Sequence, residues 1–465
     1  MATSSRARPA STLAALALAL LAACGRAAAP TKPRNAILIS IDTLRPDHLG
    51  CYGYPRDTSP TLDALAAAGV RFEDVTAAAP WTLPSHASML TGLYPSHHGV
   101  KDHEQRLPDK IVTLAEEFRD HGYQTFAVVN THNVGAPEFQ LGQGFDADHF
   151  RYIMETEDDP KTAKLKTFDS GDVVVSTAKE MLRARDEDKP FFLFLHFYDV
   201  HTDFTPKSEY RERFVGSYSG RLTGSTTQLV KVRDGEETLT DADVRWLREM
   251  YDAEIRQLDD LLGRFFTWLD EEKLRDETLF VVTSDHGEEF QEHGSVLHGR
   301  TYYQEVLRVP LLLRGPGIPS GKGVTTPVSG VDITPTILAL MGIPSSQARD
   351  GLDLTPTWSD GQLPERLLFS EADHNNKIDG EFVYDIRKMV RGGEEKLLLD
   401  THTGRQELYD LSTDKGERHD LSGAAPDRVR DLRAQLERFL AGAVEGEAIP
   451  PQSEEELKVL KALGY

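Results

Sequence analysis

Along most of the chain, short apolar, β-branched runs alternate with stretches whose apolar residues recur every three or four positions. The runs fall at 36–41, 126–129, 191–195, 279–283 and 309–313, each continuous in the way a strand covered on both faces reads. Helical spacing lies between them at 61–68, 113–121, 173–185, 241–269 and 333–341. This alternation predicts an α/β fold: a mostly parallel sheet with helices on both sides. No internal repeat interrupts it.

Two regions break the pattern. Residues 207–240 are polar and rich in Gly, Ser and Thr, which predicts a surface excursion, either a lid or specificity loop or an insertion without catalytic consequence. After about Pro364, short runs at 383–387, 395–400 and 407–409 are separated by Gly392-Gly393 and Thr403-Gly404 and followed by helical spacing over 426–443. That predicts a small antiparallel C-terminal subdomain. The expected organisation is a leader over 1–23, a tether over 24–34, a catalytic domain over 35–364, the C-terminal subdomain over 365–449 and a tail over 450–465.

The leader has Arg6 and Arg8, then an apolar run over 13–21, then Ala22, Ala23 and Cys24. This is the order of an export signal, and the run is too short for a permanent membrane span. The Leu21-Ala22-Ala23-Cys24 tetrad resembles a bacterial lipobox, which implies cleavage before Cys24 and a lipid on its sulfur; the alternative is an ordinary secretory signal with an incidental Cys. The expected location is that of an exported bacterial lipoprotein, at the periplasmic or outer face of the cell envelope. The 465 residues carry 52 Lys and Arg against 75 Asp and Glu, a formal charge of −23. Cleavage would remove two Arg and no acid, leaving 50 basic against 75 acidic residues, or −25. Such a body repels nucleic acid and anionic membrane surfaces, so no nucleic-acid partner is expected and membrane contact is expected through the N-terminal lipid only. With Cys24 lipidated, Cys51 has no partner for an internal disulfide.

Candidate chemistry sits at the ends of the apolar runs. Asp42 follows the first, and Asp285 and His286 follow another in Val281-Val282-Thr283-Ser284-Asp285-His286-Gly287. Ligands of open α/β sheets bind outside the carboxyl ends of strands, so these three can converge, and two carboxylates with an imidazole suit a divalent metal. Taken singly, each Asp reads rather as a cap of the helix that follows its strand. A third segment, Pro80-Trp81-Thr82-Leu83-Pro84-Ser85-His86-Ala87-Ser88-Met89-Leu90-Thr91-Gly92, starts a helix at Pro84 and puts Thr82 at its positive end. Beside a cation, a hydroxyl there can attack an anionic substrate; without one, it is an N-cap.

The run Ile41-Asp42-Thr43-Leu44-Arg45-Pro46-Asp47, then Thr58-Ser59-Pro60-Thr61-Leu62-Asp63 and residues 82–99, resembles the sulfatases of the alkaline phosphatase superfamily. So do Gly122-Tyr123-Gln124-Thr125, residues 191–201, Thr283 to Gly287, Arg308-Val309-Pro310, Val331-Asp332-Ile333-Thr334-Pro335-Thr336 and Glu407-Leu408-Tyr409-Asp410-Leu411, in the family's order. The resemblance implies an alkaline-phosphatase-like, doubly wound, mostly parallel sheet with a small C-terminal antiparallel-sheet subdomain. It implies Asp42, Thr82, Asp285 and His286 as metal ligands, Thr82 also as nucleophile, and His201 as the group at the leaving oxygen. His86, Asn130, His132, His298 and Arg300 fall at or near substrate-binding positions.

The departures matter as much. Sulfatases of the common type oxidise a Cys or Ser, in a motif that continues x-Pro-x-Arg, to formylglycine. Here the series is Thr82, Leu83, Pro84, Ser85, His86. Thr would give a ketone, so no formylglycine is expected. His86 replaces the motif Arg, Thr43 a second Asp, and Val129-Asn130 a Gly-Lys pair. A formylglycine hydrate releases sulfate by elimination, whereas a Thr ester must be cleaved by water, a course that phosphoryl groups follow readily. The expected activity is metal-dependent hydrolysis of an anionic sulfate or phosphate ester. Alternatives are a phosphodiesterase or phosphoethanolamine-type transferase acting on envelope glycans or lipids, and an inactive binder of anionic glycans. One divalent ion is expected, calcium, zinc or manganese, with Asp199, His201, His293 and His298 as further donors for a second.

Overall fold

Asn35–Ile41 (β1) is buried at all seven positions because strands flank it and helices cover both its faces. The computed structural model describes Met1 and residues 32–153, 170–359 and 361–449. In chain order the strands that join β1 in one nine-stranded sheet are Val70–Thr76 (β2), Gln124–Val129 (β3), Phe150–Tyr152 (β4), Phe191–Phe197 (β5), Thr278–Thr283 (β6), Arg308–Arg314 (β7), Lys322–Val324 (β8) and Val328–Ser329 (β9). The spatial order is β8-β2-β7-β6-β1-β5-β3-β4, with β9 also beside β2. Ile37 and Ile39 pack into one core and Leu38 into the other, as the two-residue period of a strand requires.

Only β7 runs against the rest, pairing antiparallel with β2 and β6. Its ladder with β2 slips between Val309 and Leu311, where Pro310 has no N–H to donate. The sequence pattern did not predict β2, whose run is interrupted by Arg71, Glu73 and Asp74. The excursion carries two short helices, Ser208–Phe214 and Thr226–Arg233, ahead of the long helix Asp241–Glu271. Its entry is pinned to that helix, with Thr205 N–H donating to Glu254 (2.6 Å) and Lys207 N–H to Gln257 (2.8 Å).

The C-terminal sheet is antiparallel, in the order Leu367–Ser370, Arg387–Gly392, Glu395–Asp400 and Gln406–Asp410. Val429, Leu432 and Leu436 of the helix Pro426–Leu440 pack against it. The strand expected at 383–387 is displaced: Glu381–Val383 pairs with Asn376–Ile378 in a separate hairpin, and the sheet strand starts at Arg387. The expected leader, Cys24 and the tail over 450–465 lie outside the described residues. No helix among the described residues is long and apolar enough to cross a membrane.

Candidate active site

Strand register brings the acids together. Ser40 of β1 lies opposite Thr283 of β6, so Asp42 and Asp285, each two residues further on, emerge side by side. Thr43 turns the chain away with φ of 55°, and its N–H donates to Asp285 Oδ1 (3.3 Å), as does that of His286 (3.0 Å). Asp285 Oδ2 and both carboxylate oxygens of Asp42 are buried without a hydrogen-bond partner. His286 Nε2 lies 3.3 Å from Asp285 Oδ2, 3.6 Å from Asp42 Oδ1 and 3.4 Å from Thr82 Oγ1.

Asp42, Asp285 and His286 offer ligand atoms within 4.8 Å of one another, the one such group among the described residues. Three orphaned carboxylate oxygens in a dry interior are costly unless a cation takes their lone pairs, so these residues fit a divalent ion. Their protonation carries the same strain. Burial, then Asp285, push Asp42 up to about 6. Burial also opposes charge on Asp285 and His286, yet their pairing overrides it, holding Asp285 well below the usual carboxylate range and raising His286 to about 9.

Thr82 opens the helix Thr82–Thr91, with Trp81 as an extended N-cap that makes no side-chain cap bond. The helix therefore starts at Thr82, two residues before the expected Pro84, and the alternative of Thr82 as N-cap falls: its hydroxyl lies one residue inside the helix and faces His286. Ser85 Oγ donates to the Asp285 carbonyl (2.7 Å), locking the first turn against the loop after β6. Beneath it, His86 is wedged between sheet and helix, Nε2 at 2.9 Å from Ser40 Oγ and Nδ1 at 2.8 Å from the Thr82 carbonyl. Burial pulls it to about 4, so the position that the resemblance gives to an Arg holds a neutral ring with both nitrogens engaged.

His196 was not singled out in the sequence although it directly follows the apolar run 191–195; the strand continues through it to Phe197. Its Nε2 lies 3.5 Å from Asp42 Oδ2, and its Nδ1 faces Asn130 Oδ1 at 3.1 Å. Asn130 also accepts from the Tyr198 N–H (3.0 Å) and donates to Ser170 Oγ (2.9 Å), so it orients His196. Glu288 was missed too: it is buried, Oε2 has no partner, Oε1 faces His298 Nδ1 at 3.3 Å, and burial pushes it up to about 7.

His201, His298 and His286 form a row, with ring centres 5.0 and 4.3 Å apart. His201 Nδ1 donates to the Thr202 carbonyl at 2.5 Å, which directs Nε2 as its exchangeable nitrogen. Other expected residues lie apart from this row. Arg300 is committed to the Asn375 carbonyl (2.6 Å), the Arg233 carbonyl (3.2 Å) and Asp234 (2.7 Å). His132 packs on Phe139 and faces Glu138 at 3.4 Å, and His293 stacks on Tyr303 while facing Glu305 at 2.5 Å. A groove of about 630 Å³ lined by Arg45, Glu73, Arg308 and Arg418 contains none of the Asp42–Thr82–Asp285–His286 cluster.

Residues 34–343 match the protein-family model described as Sulfatase. A sulfatase of Escherichia coli K12, described as uncharacterized, is 27% identical over 436 residues, covering 87% of this chain and 86% of its own. A structure solved with its substrate D-glucosamine-2-N,6-O-disulfate superimposes with a TM-score of 0.71 at 20% identity, over 88% of this chain and 98% of its own. The phosphonate monoester hydrolase of Agrobacterium radiobacter does so at 0.69 and 21%, over 88% and 95%. The chain belongs to the sulfatase family of the alkaline phosphatase superfamily, and it is an enzyme that hydrolyses sulfate or phosphate esters.

Proposed function

We propose that this enzyme cleaves an anionic sulfuric or phosphoric ester by transferring the sulfuryl or phosphoryl group to Thr82, with a phosphate ester favoured. The carrying observation is the Thr82 hydroxyl: uncommitted to capping, at a helix N-terminus, and 3.4 Å from a histidine shared with two unsatisfied carboxylates. Members of the family generally use a metal ion, and Asp42, Asp285, His286 and Thr82 would hold it here. A divalent ion so bound would favour the Thr82 alkoxide and neutralise the ester's equatorial oxygens.

The remaining steps belong to the chain's own residues. Thr82 Oγ1 forms a bond to sulfur or phosphorus as the opposite ester bond breaks. His201, its Nδ1–H held on the Thr202 carbonyl and its ring stacked on Tyr198, enters this step as the imidazolium and delivers its Nε2 proton to the departing oxygen. Water then attacks the Thr82 ester, giving a proton back to Nε2 and releasing sulfate or phosphate from Thr82 Oγ1. Helix-end N–H groups supply positive potential to the anion throughout. The leaning towards phosphorus rests on Thr82, which has no elimination route for sulfate, and gains support from the fold shared with a phosphonate monoester hydrolase.

We place the enzyme beyond the inner membrane, tethered through a lipid on Cys24. Parallel assays of an aryl sulfate, a phosphate monoester and a phosphate diester test the reaction. At least one should turn over, a phosphate ester fastest; turnover of none would support an anion binder instead. Metal analysis of active protein should find a divalent ion that Asp285→Asn lacks, and active protein free of metal would refute the site.

A further inference from the structure

Three cations meet one carboxylate where the excursion helix Thr226–Arg233 ends. Asp234 accepts from Arg300 Nη2 (2.7 Å) on one oxygen and from Lys377 Nζ (2.8 Å) on the other. Arg233 shares that same carboxylate as the third and most distant cation. Its Nε stands 3.5 Å from Asp234 Oδ1, beyond a normal N–H···O bond, and has no hydrogen-bond partner, although the side chain is only 8% exposed.

Three cations on one carboxylate leave an excess of positive charge, and the place of this side chain gives that excess a meaning. Its helix packs on Val296–Leu297, the strand directly before His298. The guanidinium is electrostatically felt by His298 and His374 and itself feels Glu288. His298 in turn stands 4.3 Å, ring to ring, from His286. His374 stacks at 4.5 Å on Trp81, the residue before Thr82. Arg233 thus lies within electrostatic reach of His298, whose ring neighbours His286, and of His374, whose ring stacks on Trp81. Burial, then repulsion by Arg300, lower it to about 10 against the pull of Asp234 and Glu288.

We propose that Arg233 is a substrate-binding residue that holds the anionic oxygens of the ester. It would supply from the polar excursion the positive charge that His86 and Asn130 do not. A guanidinium suits the task because its planar fork meets two oxygens of a tetrahedral anion at once. The inference rests on the reading of Asp42, Thr82, Asp285 and His286 as the reaction centre. It also assigns the excursion a part in anion recognition.

The test uses inorganic sulfate and inorganic phosphate, titrated calorimetrically into the full chain. Arg233→Gln should weaken both at least about tenfold, the loss expected for a charge-assisted bidentate contact. Arg233→Met is the second variant, since replacing a buried charge in excess over its shared carboxylate by an apolar chain of similar length should keep or raise the Tm in anion-free buffer while anion affinity falls. Wild-type affinity in either variant overturns the proposal. So does a lowered Tm with affinity retained, which would make Arg233 a structural partner of Glu288. Thr82→Ala is measured for turnover of the ester and not for anion binding. If Thr82→Ala kept its turnover, the nucleophile would fall while the Arg233 result stood.

Discussion

Asp259 shows how a single buried carboxylate can set a pH dependence away from the site. It accepts the Thr61 and Leu62 N–H groups at 2.8 and 2.9 Å, capping the helix Pro60–Ala67 from the long helix Asp241–Glu271. Burial nevertheless pushes it up to about 7, against those bonds. Its folded pKa therefore lies above the unfolded value, so its contribution is fully present below about pH 4 and is lost as pH rises through about 7. Asp259→Asn does not titrate. Relative to wild type it should gain on the order of 3 kcal/mol between pH 4 and 8, read from thermal unfolding at the two ends; a difference independent of pH would contradict this. The same residue scale explains what the sequence disclosed about the site. Asp42, Asp285 and His286 were legible because polar residues directly after apolar runs stand out. His196 and Glu288 were not singled out: His196 also follows a run, 191–195, but Phe197 carries the strand on past it, and Glu288 is one acid of an acidic pair, Glu288-Glu289. Strand pairing and burial give these two their meaning.

At the scale of elements, the long helix Asp241–Glu271 organises the loop after β1. Asp252, fully buried, accepts from Arg56 Nη1 (2.6 Å) and the Tyr54 hydroxyl (2.7 Å) and faces His48 Nδ1 (2.7 Å). Asp252→Ala should cost about 3 kcal/mol, the expectation for removing one partner of a buried ionic network, measured by denaturant unfolding; a loss under about 1 kcal/mol would mean the network contributes little net stability. The five apolar runs and five helical patterns all correspond to elements, because their periodicity follows directly from burial. Strand direction did not: β7 is as apolar as the parallel strands β1, β5 and β6, and what reverses it is the connection, which periodicity does not encode. β2 escaped because its exposed-face charges break the run. The excursion read as a loop because its helices are short and polar, the first held against the long helix and the second against Val296–Leu297.

For the whole molecule, an acidic body must admit an anion. With a formal charge of −23, or −25 once the leader is removed, the global field opposes substrate approach. Raising ionic strength from about 10 to about 150 mM shortens the Debye length from about 30 to about 8 Å, so kcat/KM for an anionic ester should rise over that range; a steady fall would show that the local cations dominate association. The metal should likewise be visible globally. Chelation should lower the wild-type Tm, by mass action on a ligand bound only to the folded state, and leave Asp285→Asn unmoved. Equal shifts in both proteins would place the stabilising ion elsewhere.

The central claim is that Thr82 is the nucleophile, and replacing its hydroxyl tests that most directly. Turnover of the best ester should fall about a thousandfold or more in Thr82→Ala and stay within about tenfold of wild type in Thr82→Ser. Near-normal turnover by Thr82→Ala, with the fold and metal content intact, would contradict the account.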